Sequence, residues 1–200
     1  LFSHGNKSDL GRLSDPLEEI RSQGFSVFAY DYPGYGRSEG RPTEKSLYEA
    51  IETAYEYLTN TLGIPADRII VMGRSLGGGP STELARRRPV GGLILESTFT
   101  SVYRAKIIFP FLLGDKYKNL AKVKKSVVPT LVIHGTHDNL IPFSHGKKLY
   151  QHSAGPKQFY WVEGAGHYDY QSLNPDYWQK LQTFSASVIH AQPEKSQLGS

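Results

Sequence analysis

The chain has 200 residues, of which 38% are apolar and 21% charged, with a net charge of +4 and no cysteine. That length supports a substantial core, and the missing cysteine excludes a thiol nucleophile, a disulfide framework and a cysteine-ligated metal site. No apolar run of about 18 residues is present to form a transmembrane helix, and the positive charge is too low and diffuse to argue for a nucleic-acid partner.

Leu1-Phe2 reads as the tail of a buried strand, followed by the polar loop Ser3-His4-Gly5-Asn6-Lys7-Ser8-Asp9. Leu10, Leu13, Leu17 and Ile20 recur at helical spacing, with the main helix starting at Asp15 or Pro16 and ending at Gly24. Phe25–Tyr30 is expected as a strand, running into the glycine-rich loop 31–40. Thr43 suits the N-cap of a long helix from Glu44 to about Leu62, closed by Gly63 and Pro65.

Arg68–Met72 is a short apolar strand that stops at Gly73-Arg74-Ser75-Leu76-Gly77, and a helix follows from about Leu76 to Arg88. The Arg86-Arg87-Arg88 triplet suits the negative end of that helix dipole. Gly92–Glu96 is the next strand. Residues 97–128 are irregular and mix apolar side chains with Lys116, Lys118, Lys122, Lys124 and Lys125. Thr130–His134 and Lys157–Glu163 are further strands, with helices over about Phe143–His152 and Asp176–His190. The polar tail 191–200 is expected to be disordered.

Alternating strands and helices imply one α/β domain over 1–190, built on a mostly parallel sheet with helices on both faces. In such sheets functional loops gather at the carboxyl ends of the strands. Ser75, Asp138 and His167 all fall at predicted strand ends. A Gly-x-Ser-x-Gly turn between strand and helix is a nucleophile elbow, in which the two glycines permit the sharp turn and hold the serine proud of the backbone.

A serine hydroxyl needs a base and a group to orient that base. His167, in a Gly-x-Gly-His loop, is the candidate base, and Asp138 the candidate orienting acid. Glu96 also ends a strand and is an alternative acid; Asp169, His137 and His134 are nearby ionisable groups, the last read as packed and hydrogen-bonded. His145 and His152 read as surface residues of a helix. The backbone N–H groups of Leu76 and Asn6 are the candidate oxyanion donors, with the His4 side chain bracing its loop.

The order Ser75, Asp138, His167 downstream of His4-Gly5, carried by SHGNKSDLG, YDYPGYGRSEGRP, VMGRSLGGGP, ESTFTS, VIHGTHDNLIPFSHGKKLY and WVEGAGHYDY, resembles the α/β-hydrolase superfamily. The closest likeness is to the α/β-hydrolase domain 17 group of acyl-protein thioesterases and their bacterial and plant relatives. The resemblance implies a serine hydrolase acting on esters or thioesters, with those three residues as triad and with neither metal nor organic cofactor. It also implies strands ahead of the His-Gly loop, which this sequence lacks. An N-terminal cysteine cluster anchors the eukaryotic thioesterases, and this sequence contains no cysteine.

Amide hydrolysis or acyl transfer on the same triad, and a non-catalytic binding protein on this fold, are the competing readings. Segment 97–128 stands where such enzymes insert a lid. As a short cap, its Phe109, Phe111, Leu112 and Leu113 line an acyl pocket and its lysines meet anionic lipid; as a packed connection, its lysines form a solvated face. The expected location is cytoplasmic or peripheral to a membrane, and a segment ahead of Leu1, where any targeting signal would lie, is expected to be missing from this sequence.

Overall fold

The computed structural model describes residues 1–102, 116–170 and 175–190. Five parallel strands, β1 (Phe2–Ser3), β2 (Ile70–Arg74), β3 (Gly92–Glu96), β4 (Thr130–Gly135) and β5 (Lys157–Val162), lie side by side in that order. Six α-helices accompany them among the described residues: α1 (Ser14–Ser22), α2 (Glu44–Glu56), α3 (Gly78–Arg87), α4 (Asn119–Val123), α5 (Ser144–His152) and α6 (Asp176–His190).

Successive side chains of a strand point to opposite faces, and the sheet is apolar on both. Met72, Ile94, Leu131 and Ile133 pack with Leu181, Phe184 and Val188 of α6 and with Leu17 of α1. Val71, Leu93, Leu95 and Val132 pack on the other face with Ile51 of α2, Leu84 of α3, Val123 of α4 and Leu149 of α5. Leu93, Leu95, Leu131 and Ile133 have no exposed surface, and each such burial contributes about 1.5–3 kcal/mol. Register follows from these faces, with Met72 beside Ile94 and Ile94 beside Leu131.

The Phe25–Tyr30 strand does not form as expected. Ala29 makes one parallel bridge with Phe2, and Phe2 N–H donates to Phe28 O at 2.8 Å. Its neighbour β1 is two residues long, so there is no ladder to extend. The N-cap expectation at Thr43 holds: its hydroxyl accepts from Ser46 N–H at 3.0 Å and the Ser46 hydroxyl accepts from Thr43 N–H at 2.8 Å, a capping box. Beyond Glu56 the helix widens into a π turn, Tyr57–Thr61, and Gly63 turns the chain at φ +65°.

Three charge readings change in three dimensions. Arg88 leaves α3 and pairs with Glu52 and Glu56 of α2, so it ties two helices together rather than capping one. Lys122 does not lie on a solvated face: it is 13% exposed, its ammonium is 3.0 Å from Glu83 and it sits over the Tyr48 ring at 4.1 Å. His145 is buried rather than on the surface, and its Nδ1 accepts from Thr100 N–H at 3.1 Å. Both α4 and α5 turn these side chains inward, which helical spacing alone does not reveal.

Candidate active site

The elbow follows from backbone contacts that only glycine tolerates. Ser75 sits at φ +53°, a left-handed conformation costly for a residue with a Cβ. The chain doubles back so tightly that a Cβ on Gly73 would lie 2.4 Å from Gly77 O, and one on Gly77 would lie 2.0 Å from Ser3 O. The small residues continue into α3 because Thr98 and Tyr117 fill the space a side chain on Gly78 or Gly79 would need. The Thr98 hydroxyl donates to Ser75 O at 2.5 Å, holding the turn from the end of β3.

The His4-Gly5-Asn6 loop leaves β1 next to this turn, and a Cβ on Gly5 would be 3.4 Å from Ser75 Cβ. The loop is braced from the glycine-rich segment that follows residue 30. Tyr32 OH donates to His4 O at 2.8 Å and Tyr35 OH to Asn6 Oδ1 at 2.6 Å, while Asp31 stands 3.2 Å from His4 Nε2. His4 Nδ1–H donates to Gly5 O at 2.9 Å. The side chain of His4 therefore supports the loop.

Asp138 and His167 arrive from the ends of β4 and β5. Their loops are pressed together at Gly135, where a Cβ would lie 2.3 Å from Ala165 O and 2.4 Å from Gly166 O. His137 N–H donates to Ala165 O at 3.0 Å across the same contact. The result is a 2.7 Å hydrogen bond from His167 Nδ1 to Asp138 Oδ2. Asp138 Oδ1 accepts from the backbone N–H of Leu140 at 2.9 Å and of Ile141 at 2.7 Å.

Burial alone would push the Asp138 carboxyl up; hydrogen bonds from His134, His167 and the Ile141 N–H overcome it and hold the group well below the usual carboxylate range. An ionised carboxylate only accepts, so His167 Nδ1 carries a proton, and in the neutral ring Nε2 bears the lone pair. That Nε2 is buried and has no hydrogen-bond partner, Ser75 Oγ included. Ser75, Asp138 and His167 are 5%, 5% and 8% exposed.

The alternative acid is engaged elsewhere. Glu96 binds the Arg74 guanidinium through Oε1 and accepts from Tyr177 OH at 2.5 Å through Oε2. Asp169 accepts from Gly166 N–H at 2.7 Å, within the histidine loop, and His137 is exposed. Phe109, Phe111, Leu112 and Leu113 lie outside the described residues. Among the described residues no group of three or more His, Cys, Asp or Glu side chains is arranged to hold a metal ion, and no helix is long and apolar enough to cross a membrane.

Sequence reasoning does not find Asp31, Tyr32 and Tyr35 as loop supports. The aromatic density of 30–35 is a signal, but nothing in the linear pattern pairs these residues with 4–6. Nor does it tie His134, a packed histidine by its place in the strand, to Asp138.

A parallel sheet with this elbow, an acid at the end of the next strand but one and a histidine at the end of the strand after that, defines the α/β-hydrolase fold. A family model described as serine aminopeptidase, S33 matches residues 1–113. The chain is 42% identical over 194 residues to alpha/beta hydrolase domain-containing protein 17B of Homo sapiens, covering 94% of this chain and 66% of that protein. It is 41% identical over 192 residues to alpha/beta hydrolase domain-containing protein aho-3 of Caenorhabditis elegans, covering 92% and 56%. The chain belongs to this hydrolase family, in the α/β-hydrolase domain 17 group, and spans just under two thirds or less of these relatives' length. An esterase of Pyrococcus furiosus superposes with a TM-score of 0.79 over 94% of this chain and 82% of its own at 16% identity, a likeness of fold.

Proposed function

We propose that this hydrolase uses Ser75 as nucleophile and cleaves a carboxylic ester or an acyl thioester through an acyl-enzyme. The observation that carries the reading is the buried Asp138–His167 hydrogen bond, which leaves a lone pair on His167 Nε2, together with a left-handed serine at a strand end of the same sheet edge. In the proposed reaction His167 Nε2 takes the Ser75 hydroxyl proton as Oγ bonds to the acyl carbon. The imidazolium, steadied by Asp138, then protonates the leaving alkoxide or thiolate as its bond to carbon breaks. Water, deprotonated by the same histidine, releases the acid and restores the serine. The N–H groups of Leu76 and Asn6 are assigned to the tetrahedral oxyanion, where one such donor supplies roughly 100- to 1000-fold in rate. A loose Ser–His contact is common before substrate binds.

A fluorophosphonate should label the wild type and leave Ser75→Ala unlabelled; full labelling of that variant removes the nucleophile assignment. Amide hydrolysis is a second reading, favoured by the description of the matched family as a serine aminopeptidase. A matched panel of ester, thioester and amide substrates with one acyl group separates the two. Faster turnover of the amide than of the ester would make amide hydrolysis the leading reaction.

A further inference from the structure

His134 is the penultimate residue of β4, on the same face as Val132, and it has no exposed surface. Its Nε2 lies 2.8 Å from Ile141 O and 3.3 Å from Asp138 Oδ2. Both of those atoms can only accept, because one is a carbonyl and the other a carboxylate oxygen, so Nε2 carries a proton. Its Nδ1 is buried with no partner, which leaves the ring one polar attachment, directed at the acid loop. The ring is clamped there by α5: a Cβ on Gly146 would come within 2.7 Å of Nδ1 and 2.8 Å of Cβ and Cγ. The Phe143 ring lies against it at 6.1 Å between centroids.

We propose that His134 is a positioning residue for the acid, its Nε2–H drawing the Ile141 carbonyl and the Asp138 carboxylate together and weakening the acceptor that His167 sees. The proposal rests on the reading of Ser75, His167 and Asp138 as a triad. Its local effect is to hold 138–141 in the one arrangement where Leu140 and Ile141 N–H both reach Oδ1, leaving Oδ2 for His167. Its electrostatic effect follows from sharing Oδ2. A donor on a carboxylate lowers its basicity, so a shared Oδ2 stabilises the imidazolium less, and the histidine is released from its proton at lower pH. The low-lying Asp138 carboxyl, with the His134 hydrogen bond foremost among the groups that offset burial, agrees with this.

Other ionisable groups around the pair act differently. The Tyr168 and Tyr170 phenols are pushed up by burial. At Arg74 burial works against the charge, and Glu96 more than restores it. Asp169 is bound within the histidine loop, His145 is bound to Thr100, and His137 is exposed.

The experiment is the rate of fluorophosphonate labelling against pH for the wild type, His134→Leu and His134→Gln. The acid limb of the Leu variant should move up by about half to one pH unit, slowing labelling at pH 6 by about 3- to 10-fold and less on the alkaline plateau. Gln, which can place an amide N–H where Nε2 stands, should stay within about twofold of the wild type. A cooperatively melting Leu variant with an unmoved limb, or a Gln variant no better than Leu, overturns the role of His134. Should the Leu variant not fold, ¹⁵N-histidine NMR of the wild type decides: the Nε2–H tautomer supports the proposal and the Nδ1–H tautomer overturns it. Ser75→Ala and His167→Ala run beside these. Labelling that survives in either removes the triad reading itself, whereas silence in both with an unmoved limb removes only His134.

Discussion

His167 reaches Asp138 through Nδ1 at 2.7 Å, and the carboxylate that receives it is already held on its other oxygen by two backbone N–H groups. The acid is therefore held independently of the histidine, and the neutral histidine ring has one tautomer that fits. Since the two residues come from neighbouring strands through loops that touch at Gly135, their geometry is a property of the sheet edge and not of either loop alone.

Asp138→Asn should keep the fold and lose most of the rate. An amide can offer its N–H to Nδ1 and so favour the wrong tautomer, which on the triad reading costs about 10⁴-fold in kcat with little change in KM. Steady-state kinetics on a p-nitrophenyl ester gives the number, and a loss under tenfold would mean that Asp138 does not orient the base.

The same carboxylate links stability to pH. Its folded pKa is depressed, so its contribution is complete above the unfolded value of about 3.9 and is lost as pH falls toward the folded one. Urea denaturation at pH 7 and pH 3 should show a smaller difference for Asp138→Asn than for the wild type. Equal differences would place the acid-sensitive carboxylates elsewhere.

Gly77→Ala should destabilise by about 3 kcal/mol or more, because its Cβ would meet Ser3 O at 2.0 Å and His4 O at 2.8 Å. Those are backbone atoms of β1 and its loop, which cannot swing aside as a side chain would. Denaturant midpoints measure the loss, and a shift below about 1 kcal/mol would show that β1 and the elbow separate easily.

Glu96→Gln should also act on stability, by about 3 kcal/mol. It leaves the Arg74 guanidinium, 13% exposed, without its counter-ion, and weakens the acceptor for Tyr177 OH, which joins α6 to the sheet. The acid limb of the labelling profile should stay where it is, since Glu96 makes no bond to His167. A moved limb with unchanged stability would return Glu96 to the role of orienting acid.

Much of the architecture was legible in the linear pattern. Alternating apolar strands and amphipathic helices determined a parallel sheet, because a strand buried on both faces must be apolar at every position and its crossover must be long enough for a helix. The elbow was legible because its physical demand is local: residues 73, 75 and 77 meet one another within a single turn. The capping box at Thr43 and Ser46 was local in the same way.

What tertiary structure decided are the relations across the sheet edge. Glu96 and Asp138 both end strands, and only the packing of Arg74 and Tyr177 around one and of His167 around the other separates them. Lys122 and His145 read as surface groups until α4 and α5 turn them inward. Phe25–Tyr30 has the composition of a strand, yet a strand exists only where a partner ladder does, and β1 offers two residues. The bracing of residues 4–6 by Asp31, Tyr32 and Tyr35, and the hold of His134 on the acid loop, depend on hydrogen-bond directions. Residue order determines which groups are available for such bonds; the fold determines which of them meet.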